Sequence, residues 1–233
     1  YVGKDKYSLA HKKYLLPDYT ILDHSLTFNL PKKITAASGM DALAQAIEAY
    51  WSVNSTEESK EYSSKAIKLI LENLSAAVNN PTELSREKMM LAANLAGKAI
   101  NIAKTTACHA ISYPLTSYYG ITHGHAVALT LGEMFIFNSE NLICNDPRGS
   151  VYVKKTMQEL IELFSTQNAQ EVKLKIDNLM DSIGLKISLG QLGIALDENF
   201  WSNMETGFNP ERAKNNPINF SREDLTTILN QII

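Results

Sequence analysis

From Pro31 to the carboxyl end the chain keeps apolar residues at helical spacing and never alternates strand with helix, which confines it to a body of packed helices. Tyr62, Ala66, Ile70, Leu74 and Ala77 fall on one face, while Lys60, Glu61, Lys65, Lys68 and Glu72 take the others, and Asn79-Asn80-Pro81 ends the run. The same patterning predicts helices over 85–104, 107–119, 123–138, 150–165 and 169–183, with Gly97 at a helix–helix contact. Ser221-Arg-Glu-Asp224 is a capping box opening a last helix onto Leu225, Ile228 and Leu229. The first thirty residues differ. Residues 14–23 are Pro-punctuated and carry β-branched and aromatic side chains, so one or two short strands are expected there. The fold class expected for 31–233 is all-α.

Composition decides what such a body can bind. With 233 residues, 45% of them hydrophobic, the chain buries a sizeable core as one domain or as one domain plus a short appendage. A net charge of −3 with the signs interspersed offers no basic stripe, which argues against nucleic acid and anionic membranes as partners. The apolar runs fall short of the ~20 residues of a spanning helix, and the amino end does not resemble a signal peptide. Cys108 and Cys144 have no Cys-x-x-Cys spacing and suit a reducing, cytoplasmic setting. The chain begins with Tyr1 and is expected to be part of a longer polypeptide.

Chemistry is concentrated in two segments. Among only five histidines, His109 and His123 bracket one unit whose linker holds Pro114, a helix bender, and Gly120, a helix C-cap. Upstream, Asp41 and Gln45 lie one helical turn apart and face the same way. A carboxylate and two imidazoles on helical segments are the raw material of an open metal site. Asp41 also has a plainer reading, because Ser38-x-x-Asp41 is itself a capping-box pattern. His125 would fall on the opposite face from His123 as a packing or surface residue, and His11 and His24 lack ligand spacing.

Gly39-Met-Asp-Ala-Leu-Ala-Gln-Ala-Ile-Glu-Ala-Tyr50 resembles a signature of the iron-containing (group III) alcohol dehydrogenase family. His109-Ala-Ile-Ser-Tyr-Pro-Leu, followed by Ile121-Thr-His-Gly124, is similar to that family's second signature. The resemblance runs from about Leu16 to the carboxyl end. It implies a dehydroquinate-synthase-like helical domain over 31–233. Residues 1–30 would then be a strand segment left from a dinucleotide-binding domain absent from this chain. It also implies four metal ligands, Asp41, Gln45, His109 and His123, holding Fe2+ or Zn2+. The family usually has histidine at the Gln45 position, so one Asp and two His become the firm donors, an arrangement similar to zinc-dependent glycerol dehydrogenases. Tyr113 stands where the family often places a histidine near the substrate, which makes it the candidate catalytic proton relay.

The implied reaction is hydride transfer between NAD(P) and a small aldehyde or alcohol, with a cation stabilising the developing alkoxide. The eleven glycines form neither Gly-x-Gly-x-x-Gly nor the family's Gly-Gly-Gly-Ser loop, so cofactor-binding residues are not assigned and the chain alone is expected to show no turnover. Lys104-Thr105-Thr106, just ahead of the His109 helix, is a candidate cradle for an anionic substrate end, against the plainer reading of a Thr N-cap beside a solvated lysine. This segment is similar to the phosphonoacetaldehyde reductase branch of the family. The alternatives are a glycerol-dehydrogenase-like zinc enzyme or a non-catalytic helical module descended from one; a dehydroquinate synthase would need more basic residues. Family membership also implies a homodimer or larger assembly.

Overall fold

The computed structural model describes residues 15–141 and 143–233. Ten helices are present among them: α1 Lys32–Trp51, α2 Glu57–Asn79, α3 Glu83–Ala103, α4 Ala107–Tyr119, α5 His123–Glu140, α6 Ser150–Leu163, α7 Ala169–Ser182, α8 Glu198–Gly207, α9 Pro210–Ala213 and α10 Arg222–Gln231. The only β pairing among the described residues is a bridge between Cys144 and Ile218. No helix among them is long and apolar enough to cross a membrane.

The α1 helix is the axle. Fourteen of its twenty residues are buried, and it touches α2, α3, α5 and α6. A helix apolar on all sides must be enclosed, and the alanines at 36, 37, 42, 44, 46 and 49 let its neighbours come close. The α5 helix is similarly enclosed and packs on α1, α4 and α7. Residue pairs that satisfy each other's backbone set the starts of the outer helices: Thr56 with Ser59, Thr82 with Ser85, and Ser221 with Asp224 form reciprocal capping boxes. The last of these is the one expected from the sequence.

Three expectations need correction. Residues 15–23 form no strand, and a 3-10 turn at His24–Thr27 follows, packed against α3. β propensity needs a partner edge to become a strand, and Tyr19 and Ile21 instead lie more than nine-tenths exposed. Residue 14 of the expected strand run, and His11, fall outside the described residues. Ser38 caps nothing, because α1 already starts at Lys32 after Pro31, and its hydroxyl donates back to the Ile34 carbonyl at 2.8 Å. Gly97 meets no neighbouring atom where a side chain would project, so no close helix contact depends on it.

Candidate metal centre

Three helices deliver the site. Asp41, Gln45 and Glu48 lie at i, i+4 and i+7 along one face of α1. His109 sits in the first turn of α4, and His123 is the first residue of α5. The α4 helix runs on through Pro114 and ends at Gly120, whose left-handed backbone (φ 66°) makes the C-cap predicted from the sequence. The turn between the imidazoles is therefore made at Gly120 and not at Pro114.

Close approach of α5 to α1 depends on Gly124. A Cβ there would overlap the Ala37 carbonyl oxygen and stand 2.7 Å from the Asp41 Cβ, so the glycine lets His123 reach Asp41. Potential ligand atoms of Asp41, His109 and His123 then lie within 4.8 Å of one another. His109 Nε2 is 3.4 Å from Asp41 Oδ1, and His123 Nε2 is 3.7 Å from the same oxygen. His109 Nε2 and Asp41 Oδ1 are buried and have no hydrogen-bond partner. Two buried lone-pair atoms, left facing each other beside a third, are what a bound cation would satisfy. The residues present thus fit a divalent metal. The His123 side chain is 41% exposed against 4% for His109, so the cluster opens on the His123 side.

Glu48 organises this centre, and the sequence reading passed over it. Its side chain is fully buried. Its carboxylate accepts from the Cys108 amide at 2.8 Å, the His109 amide at 3.3 Å and the Thr106 hydroxyl at 2.9 Å, and pairs with His109 Nδ1. It thus caps α4 from another helix and fixes the imidazole with Nδ1 as donor and Nε2 free to ligate. Burial alone would raise the Glu48 pKa, but the His109 charge and these donors outweigh it and hold it low. Burial likewise works to lower the His109 pKa, and the charge and pairing of Glu48, with the Asp41 carboxylate close by, lift it to about 9. The two carboxylates therefore ask for positive charge at this imidazole. For His123, burial dominates and lowers the pKa, which keeps the ring neutral and available as a donor.

Gln45 lies beside Asp41 and its amide donates to Oδ2 at 2.8 Å, which orients the carboxylate. Tyr113 lies near-parallel to His123, ring centres 6.3 Å apart. Burial raises its phenol pKa, so the hydroxyl stays protonated in the neutral range. The expected anion cradle is arranged differently. Thr106 is fully buried with its hydroxyl held between the Trp51 indole N–H (2.9 Å) and Glu48, and the amides at the head of α4 are occupied by that same carboxylate. The anion that this helix end attracts is internal to the protein. Thr105 is buried and accepts from Arg212 at 2.6 Å, leaving Lys104 as the exposed member of the trio. His125 lies away from the cluster, buried and donating to the Lys186 carbonyl at 2.7 Å, a packing residue as expected.

Residues 35–233 match the model of the Fe-containing alcohol dehydrogenase family, C-terminal. The chain belongs to this family. It is 32% identical over 218 residues to phosphonoacetaldehyde reductase of Streptomyces viridochromogenes, covering 92% of this chain and 54% of that protein. It is 34% identical to 1,3-propanediol dehydrogenase of Klebsiella pneumoniae, covering 93% and 55%. The crystal structure of sulfoacetaldehyde reductase from Bifidobacterium kashiwanohense in complex with NAD+ superposes with a TM-score of 0.78 at 32% identity, covering 90% of this chain and 53% of that one. The chain spans about half the length of the curated relatives it matches. The helical fold expected from the motif resemblance is thus the fold of an iron-containing alcohol dehydrogenase's carboxyl-terminal part.

Proposed function

We propose that this chain is the metal-holding part of an NAD(P)-linked alcohol dehydrogenase that reduces a small aldehyde, with a phosphonate- or sulfonate-bearing aldehyde as the preferred substrate class. The carrying observation is the pair of unsatisfied buried atoms, Asp41 Oδ1 and His109 Nε2, set against His123 at the open side of the cluster. Asp41, His109 and His123 hold the metal, Fe2+ or Zn2+, and the Gln45 amide steadies Asp41 or adds a weak fourth donor. A bound divalent ion supplies Lewis-acid polarisation of a carbonyl at this position. Glu48 keeps the His109 ring turned toward the centre. Tyr113, protonated beside His123, donates a hydrogen bond toward the substrate oxygen and passes a proton to it. The nicotinamide cofactor belongs to a dinucleotide-binding segment preceding this one, to which residues 1–30 connect.

The relatives named for phosphonoacetaldehyde and sulfoacetaldehyde support the substrate class, since both names denote two-carbon aldehydes with an anionic end. An assay of NADH and NADPH oxidation with small aldehydes tests the proposal. The complete enzyme should turn over and the 233-residue chain should not. Turnover by the chain alone would refute the division of labour, and a complete enzyme inactive on every small aldehyde would refute the reaction.

A further inference from the structure

The cation best placed for an anionic substrate end is not in the Lys104-Thr105-Thr106 segment. Arg212, on α9, is half-buried and its guanidinium lies over the Tyr113 ring, 5.4 Å from its centre. The same ring lies near-parallel to the metal-cluster residue His123, with centres 6.3 Å apart. Guanidinium, phenol and imidazole therefore succeed one another in two short steps from α9 to the metal ligands. One Arg212 nitrogen donates to the Thr105 hydroxyl at 2.6 Å. The neighbouring chain is sewn to the same place: Asn215 donates to the Thr105 carbonyl at 3.0 Å, and the Asn209 side chain accepts from the Arg212 amide at 3.2 Å. The side chain is thus held at its base and along its ring stack.

Its charge has not been spent. Arg212 forms no ion pair among the described residues, although Glu211 is its neighbour in sequence; Glu211 pairs instead with Lys214 at 2.6 Å. A guanidinium carries five N–H donors, of which Thr105 takes one. Beside it lies a cavity of about 460 Å³ lined by Lys104, Thr105, Asn209, Glu211, Arg212 and Asn215, among others, which brings a second cation to the same opening. A fixed, half-buried arginine with donors to spare, one aromatic ring from the metal ligands, is suited to a tetrahedral anion by its planar fork.

We infer that Arg212 is the specificity-determining residue that binds the anionic end of the aldehyde, with the Tyr113 ring lying against both Arg212 and His123. The inference rests on the reading of the chain as part of an aldehyde reductase. It transfers the recognition role from the Thr106 end of α4 to α9, with Lys104 as an outer charge at the mouth.

The test is a specificity ratio in the complete enzyme, using three aldehydes of similar length: one ending in phosphonate, one in sulfonate, and propanal. For Arg212→Met, kcat/KM for the anionic aldehydes should fall about ten- to a hundredfold further than for propanal, mostly through KM, with Arg212→Lys in between. Loss for only one of the two anions assigns the natural end group. Equal loss for anionic and neutral aldehydes, or no loss, overturns the inference while leaving the reductase reading intact. A parallel titration of the 233-residue chain with ethylphosphonate and ethanesulfonate by calorimetry reads the site without turnover. Weaker binding in Arg212→Met supports the inference even if the reaction assignment fails, and unchanged binding overturns it.

Discussion

The α1 helix carries two buried polar networks, and only one of them is closed. On the closed side, Lys60 donates to Thr156 at 3.0 Å and Glu159 at 3.1 Å while lying over the rings of Tyr50 and Tyr152, and the Tyr50 hydroxyl donates to Glu159 at 2.9 Å. Arg148 extends it with a bidentate grip on Asp146 and with bonds to the Ser52 and Ser55 carbonyls and to the Tyr152 hydroxyl. No buried atom in that set lacks a partner. On the other side, Asp41, Glu48 and His109 are as deeply engaged, yet Asp41 Oδ1 and His109 Nε2 are left facing each other unsatisfied. A network that satisfies itself is a structural clasp, joining the loop after α1 to the start of α6. One that stops two atoms short is built for something that completes it.

The comparison is tested first where the effects are largest. Glu48→Ala strips the cap from α4 and leaves the Thr106 hydroxyl and two amides buried without an acceptor. Arg148→Met leaves the Asp146 carboxylate, 1% exposed, without its cation. Each should cost about 3–5 kcal/mol in urea unfolding, the usual range for breaking a buried pair. They should then part company: metal affinity should collapse in Glu48→Ala and be unchanged in Arg148→Met. Equal metal binding in both would erase the distinction.

Gly124→Ala should lose about 1–3 kcal/mol by overpacking, because the added methyl meets the Ala37 backbone, which cannot rotate away. Since the displacement falls beside His123, metal retention should weaken along with the melting temperature. Gln45→Ala should be milder, reducing metal affinity about tenfold with little change in stability, as expected for a residue that orients a ligand. A loss as large as that of an Asp41 substitution would make Gln45 a full ligand.

The smallest effect concerns pH. Burial acts to raise the Glu159 pKa, but hydrogen bonds from Lys60 and Tyr50 and the Lys60 charge outweigh it and lower it from the usual 4.5. A carboxylate held low in the fold stabilises above about pH 4.5 and loses that contribution as pH falls through its lowered value. Lys60→Met should move the Glu159 titration, followed by carboxyl carbon NMR, upward and shift the onset of acid unfolding to higher pH. An unmoved titration would remove Lys60 from the clasp.

Much of this was legible from local pattern. Helical periodicity located α2 to α7 within a few residues, and the paired signatures brought Asp41, His109 and His123 to one cluster. Glu48 was also within reach, seven residues after Asp41 on the same face, but an acid in an apolar run has several uses until its partners are known. The misreadings have a common origin in contacts between distant segments. Lys60 falls off the apolar stripe of α2 in the sequence, yet two tyrosines and Glu159, ninety-odd residues away, enclose it. Thr106 looked like a free cap because the carboxylate that caps α4 comes from α1. Arg212 has no local motif, and only the packing of α9 on α4 shows what it faces.

The most direct test of the open network is metal itself. The chain should be stripped with chelator, reloaded with Fe2+ or Zn2+, and analysed for metal content and unfolding midpoint beside His109→Ala and Arg148→Met. The account predicts about one ion per chain in the unsubstituted protein and in Arg148→Met, with a stabilisation near ~2.7 kcal/mol at a hundredfold excess over Kd, and neither in His109→Ala. A chain that holds no stoichiometric metal, or one whose metal survives His109→Ala, would contradict it.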